Sequence, residues 1–198
     1  MSLCHIVNGC RKFNVREFGL PLLLGASLIL AWWFRDVAAD VMMYRRSGIE
    51  AGQIWRLLTA HWVHLSVQHL ALNLTTLAIT WWFFGHALAG LAGYILTLFI
   101  SMGLSLTLLL LNSDVEWYVG FSGVLHGLLI AGALLSRRHN PLLSALVVLV
   151  VVIKLAFEQI LGPNPDLVQF IGSPVLVEAH LYGAVLGFLS AAVMARLQ

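Results

Sequence analysis

The chain has 198 residues, of which 60% are hydrophobic and only 10% charged, and its formal net charge is +2. A soluble domain of this size has nowhere to hide so much apolar surface. With a mean hydropathy of +0.91, the composition specifies an integral membrane protein and excludes a freely soluble enzyme. The slight positive balance gives no basic footprint, so no nucleic-acid partner is expected.

The polar N-terminus, residues 1–17, is too short to fold alone and is expected to be a short cytoplasmic tail. It carries Arg11, Lys12 and Arg16 and both cysteines, Cys4 and Cys10. No small-residue cleavage site follows the first apolar run, so no removable signal peptide is expected. Six apolar runs bounded by Pro, Gly or charge follow, at about 18–34, 65–84, 88–111, 122–136, 141–161 and 176–196. Residues 18–198 are therefore predicted to form one all-α domain, a bundle of six transmembrane helices with no soluble domain beside it. The fourth run is short, which predicts a helix that starts below the surface, at the floor of a cavity.

Loop charge sets the orientation. Arg11, Lys12, Arg16, Arg137, Arg138 and Arg196 fall on one side; Asp114, Glu116 and Asp166 fall on the other. Excess Arg and Lys marks the cytoplasmic side, so both termini are expected inside and the two cysteines are expected as reduced thiols. The stretch 35–61 runs against this rule, with Arg35, Arg45, Arg46 and Arg56 on the outer side. Its Trp, Tyr and Met content predicts a segment lying in the membrane interface.

Helix rise alone places four polar residues at one depth. At about 1.5 Å per residue, Ser122 lies roughly 20 Å above the cytoplasmic end of the fourth helix, His180 about 24 Å above that of the sixth, and His69 about 23 Å above that of the second, with Asn73 one turn lower. In a hydrocarbon core about 30 Å thick, these fall in one layer a little below the outer surface. His180, Gly183, Ala184, Gly187 and Ala191 share one face of the sixth helix, and Gly123 and Gly127 offer a similar strip on the fourth. Small residues let membrane helices approach closely, so the helix that carries His180 is expected to pack tightly against the one that carries Ser122.

Serine is a weak nucleophile until a base within hydrogen-bond reach takes its proton, and His180 is the candidate base. Attack on a peptide carbonyl creates an oxyanion that needs aimed donors. His69 and Asn73, four apart, share a helix face and supply two; the Ser122 amide, near a helix start, supplies a third. Taken singly, each residue has a plainer explanation: a serine back-bonded to its own helix, or an Asn or His bridging two helices. Four such residues at one depth favour the catalytic one. Lys154 also lies at the depth of Ser122 and is a rival base, since Ser–Lys pairs occur; an ion pair with Glu158, four residues on, is the preferred alternative, at the lateral edge where substrate enters. Glu178, two before His180, is expected on the opposite side as a surface charge. No H-E-x-x-H pattern appears among His61, His64, His69 and His180, so neither a metal nor a cofactor is expected.

These residues carry a family resemblance. Trp55-Arg56, the run from His64 through His69 to Asn73 (H-x4-H-x3-N), Gly120-Phe121-Ser122-Gly123 (G-x-S-G) and Ala179-His180-x-x-Gly183-x-x-x-Gly187 stand in the order found in rhomboid intramembrane serine proteases. The chain resembles that family over nearly its whole length, most clearly from Trp55 to Gly187. The resemblance implies a six-helix fold, a Ser122–His180 dyad without an essential acid, and an oxyanion hole that includes His69 and Asn73. Its substrates would be single-span membrane proteins. Gly120 belongs to the nucleophile motif, and His64 is implied to be structural or water-holding. Within the family, the compact form and Gly-Phe-Ser-Gly-Val-Leu-His-Gly look most like rhombosortases, which resemble sorting enzymes that process bacterial precursors ending in a Gly-Gly motif, a membrane helix and basic residues. That implies a multi-pass protein of the bacterial inner membrane. His126 departs from the family pattern, standing where many members have Tyr against the catalytic histidine; it either packs there in the same way, the favoured role, or tunes His180. Three functions remain open: a general rhomboid protease with other substrates, a non-catalytic rhomboid-like protein that binds membrane helices, and a small transporter. Retention of both dyad members argues against the second, and the lack of paired broken helices against the third. Oligomeric state is not legible in the sequence.

Overall fold

The computed structural model describes residues 17–196. Arg11, Lys12, Arg16, Cys4 and Cys10, and with them most of the expected cytoplasmic tail, lie outside the described residues. In chain order the elements are α1 (Gly19–Trp33), α2 (Arg35–Met42), β1 (Tyr44–Arg45), α3 (Arg46–Glu50), α4 (Arg56–Thr59), a 3-10 turn (Ala60–Trp62), α5 (Val67–Phe84), α6 (Gly90–Leu111), β2 (Trp117–Tyr118), α7 (Ser122–Leu135), α8 (Pro141–Leu161), α9 (Pro165–Ile171) and α10 (Val177–Met194). A helix stands at each apolar run predicted from the sequence. Among the described residues, α6, α8 and α10 are long and apolar enough to cross a membrane; α1 and α2, bent by 101° at their junction, make a fourth only if counted as one broken span. α7 is apolar but shorter.

The helix ends follow local chemistry. Pro141 opens α8 at a position where its missing N–H costs nothing. The Ser66 side chain accepts the His69 amide at 3.1 Å and so caps α5. The carbonyls at and just past the end of α6 are met from a distance. The Arg46 guanidinium donates to the carbonyls of Leu108, Leu109, Asn112 and Val115 at 3.1, 3.1, 2.7 and 3.2 Å.

α7 is the hub. It packs against α10, α8, α5 and α6, and most of its length, from Gly123 to Ala133, is buried, as expected for a helix that is apolar all round. α8 is peripheral: only Ser144, Val151, Leu155 and Glu158 are buried, along one seam. Its exposed flank, including Leu142, Phe157 and Ile160, is apolar, as a lipid-facing surface requires.

The stretch 35–61 is a compact substructure. The Trp55 indole donates to Val41 O, Arg56 to Met43 O and Thr59 to Met42 O, at 3.0, 2.8 and 2.9 Å. β1 pairs antiparallel with β2, Tyr44 opposite Tyr118 and Arg45 opposite Trp117. The substructure is thereby tied to the strand that leads into α7. Two of its four arginines, Arg46 and Arg56, have internal carbonyl partners.

Candidate functional site

The approach to Ser122 is held from three sides. The Gly120 amide donates to Ala60 O at 3.2 Å, and the Tyr118 hydroxyl donates to Gly120 O at 2.8 Å. Gly120 has φ +111, a conformation that side chains disfavour. A Cβ there would also meet the His69 ring at 2.6 Å. Phe121, fully buried, wedges edge-on against Trp62 with centroids 5.5 Å apart. Ser122 then begins α7.

Across from it stands α10, and the two helices come into backbone contact. A Cβ on Gly183 would lie 1.9 Å from Gly123 O, and one on Gly187 would lie 2.1 Å from Gly127 O, so only hydrogen fits at either position. That approach brings Ser122 Oγ to 2.9 Å from His180 Nε2. Ser122 is half-buried and His180 is buried.

His180 has a second partner. Its Nδ1 lies 3.0 Å from Glu158 Oε2, and the other carboxylate oxygen accepts from Lys154 Nζ at 2.6 Å. A carboxylate only accepts, so the imidazole carries its hydrogen on Nδ1 and leaves Nε2 to accept from the Ser122 hydroxyl. His126 stacks on His180, with centroids 4.3 Å apart and planes 20° apart, and its own Nδ1–H donates to Ser122 O at 2.7 Å. A hydroxyl facing a bare imidazole nitrogen, with the other nitrogen held by a carboxylate, is chemically competent for nucleophilic attack with general-base assistance.

The expected oxyanion donors are arranged less directly. His69 lies against Gly120, and its ring meets that of His64 edge-on at 4.9 Å. Among the described residues neither His69 Nδ1 nor His64 Nε2 has a protein partner, while His64 Nδ1–H donates to Trp62 O at 3.1 Å. Asn73 turns one amide N–H back to the His69 carbonyl at 2.9 Å.

A second Ser–His contact exists in the core. His61 Nε2 lies 3.0 Å from Ser105 Oγ and 2.9 Å from Ser101 O. The carbonyl can only accept, so that nitrogen carries hydrogen and has no lone pair for the Ser105 proton. His61 and Ser105 are both wholly buried. This contact bridges helices.

The structure departs from the sequence expectation at Glu158. The Lys154–Glu158 ion pair is present, but the carboxylate has a second partner, His180, where the sequence predicted only the lysine. Lys154 engages Glu158, and the Ser122 hydroxyl faces His180. Depth could have flagged the contact, because helix rise sets Glu158 about 26 Å above Pro141, level with His180. The direction in which Glu158 faces had only a weak signal, its place on one seam with Ser144, Val151 and Leu155 in a helix whose other flank is also apolar. Compared with known proteins, the chain matches the family model of the Rhomboid domain over residues 51–197. No curated protein matches it.

Proposed function

The chain belongs to the rhomboid family, whose members are intramembrane serine proteases, and on that premise we propose that Ser122 and His180 make it a serine endopeptidase acting on single-span membrane proteins. The 2.9 Å contact between Ser122 Oγ and His180 Nε2 carries this reading. Ser122 Oγ attacks the scissile carbonyl carbon as its proton passes to His180 Nε2. The oxyanion takes the Ser122 amide, His69, and the second N–H of Asn73. His180 returns the proton to the departing amine, and water entering from the outer face hydrolyses the acyl-enzyme by the same route in reverse. Gly120 holds the approach to the nucleophile, His126 supports the His180 ring, and His64 backs His69.

The finer assignments extend the same proposal. The chain is a multi-pass membrane protein; in this reading it crosses a bacterial inner membrane six times, through α1, α5, α6, α7, α8 and α10, with both termini cytoplasmic. Its substrates carry a Gly-Gly-containing tail just outside their membrane helix, as the rhombosortase-like motif around Ser122 suggests.

The test is reconstitution of wild type and Ser122→Ala in liposomes with a single-span substrate bearing Gly-Gly just outside its helix, the cut being located by mass spectrometry. Cleavage near Gly-Gly by wild type only is expected. A Ser122-dependent cut elsewhere replaces the sorting role with general rhomboid proteolysis. Equal cleavage by both proteins refutes the assignment of Ser122 as nucleophile. Binding of the substrate helix without cleavage by either favours a helix-binding protein.

A further inference from the structure

Glu158 is buried on a helix that otherwise buries almost nothing polar. Of its ion pair, the Lys154 side chain is 41% exposed and the Glu158 side chain 10%. A carboxylate whose only task was to neutralise Lys154 would follow the lysine outward, where desolvation costs least. This one turns inward, and its second oxygen meets His180 Nδ1, whose side chain is 6% exposed. Both oxygens are engaged, one by each partner. Gln159, the next residue, donates to Val177 O at 3.2 Å and pins the outer end of α8 to the first residue of α10. The carboxylate is therefore held by two elements of structure.

We propose that Glu158 is a positioning residue that fixes the tautomer and ring orientation of His180, with Lys154 holding the far oxygen of its carboxylate. This deepens the protease reading and rests on it for its catalytic consequence. A neutral imidazole has two tautomers, and only the one with hydrogen on Nδ1 leaves Nε2 free for the Ser122 proton. The other ring neighbour does not make this choice: His126 stacks face-on and spends its Nδ1–H on Ser122 O. During attack, the Ser122 Oγ–carbon bond forms, the hydroxyl proton moves to Nε2, and the Nδ1 hydrogen stays on the imidazole, bonded to Glu158. The transient imidazolium then lies beside a carboxylate. When the intermediate collapses, the Nε2 proton leaves with the amine.

Glu158→Gln in the full chain tests this. The amide has one acceptor, and Lys154 competes for it; when the carbonyl faces Lys154, the NH2 faces Nδ1 and forces the wrong tautomer. Against the Gly-Gly substrate in liposomes, kcat is expected to fall by about 10²–10⁴-fold, with KM within about threefold and thermal stability near wild type. Glu158→Gln with Lys154→Gln frees the amide carbonyl for His180 and is expected to recover at least about tenfold of that loss. A second readout is independent of cleavage. In ¹⁵N-histidine NMR, the His180 signal, assigned by its loss in His180→Asn, is expected to report hydrogen on Nδ1 in wild type and on Nε2 in Glu158→Gln. A kcat within about threefold of wild type in Glu158→Gln, or an Nε2–H tautomer in the wild type, overturns the proposal. If wild type shows no Ser122-dependent cleavage, the protease reading fails, while the tautomer still decides whether Glu158 positions His180. If Glu158→Gln does not fold, the wild-type tautomer decides alone.

Discussion

Gly183→Ala is the sharpest test of how the two helices set the reacting distance. The added Cβ would stand 1.9 Å from Gly123 O, where ordinary contact begins at 3.4 Å, so α7 and α10 must separate by about 1.5 Å to admit it. Ser122 and His180 sit one residue and one turn from that contact, on opposite sides of the seam. Opening a 2.9 Å hydrogen bond by even half of that displacement takes it past the roughly 3.2 Å within which a base can act. General-base assistance is worth about 10²–10⁴-fold, and a loss of at least about 100-fold in kcat is expected, together with about 1–3 kcal/mol of overpacking strain. Gly25→Ala is the control, since its Cβ meets only Leu74 Cδ2 at 3.8 Å, and it should leave both properties unchanged. The assay pairs substrate cleavage in liposomes with thermal unfolding in detergent. A Gly183→Ala protein that cleaves within about twofold of wild type would refute the idea that glycine contact sets the Ser–His distance.

Two further outcomes test the surroundings. Arg46→Met removes a guanidinium shared by four carbonyls at and just past the end of α6 and is expected to cost about 2–3 kcal/mol, with Arg46→Lys recovering about half; a Met variant that melts with wild type in a thermal unfolding scan would show that the guanidinium does not hold this end of the helix. Phe157 lies on the outer flank of α8, 60% exposed, so Phe157→Ala should shift stability by less than about 1 kcal/mol while raising turnover, if α8 opens the lateral path to Ser122. Unchanged kcat with a large fall in melting temperature would remove α8 as a gate.

The sequence by itself determined where the helices run. Gly, Pro and charge bound each apolar run, so the expected 88–111 and 141–161 fall on Gly90–Leu111 and Pro141–Leu161. A fixed rise per residue then set Ser122, His180, His69 and Asn73 in one expected layer. Small residues at spacings of three and four on α10 marked the face that meets α7. The broken backbone of 35–61 was legible only as an interfacial stretch, because its order comes from Trp55, Arg56 and Thr59 donating to carbonyls 13 to 17 residues away. For α8, tertiary structure decided azimuth. In a membrane helix such as α8 the packed flank and the lipid-facing flank are both largely apolar, so the contrast that marks the inward face of a soluble helix is weak. Glu158 therefore looked like one half of an i, i+4 pair with Lys154 until packing against α10 turned its second oxygen toward His180. Asn73 is the reverse case. Its helix face was predictable, but its amide had a nearer acceptor in its own helix, the His69 carbonyl at 2.9 Å, and a local bond of that kind is settled by side-chain rotation that spacing does not encode.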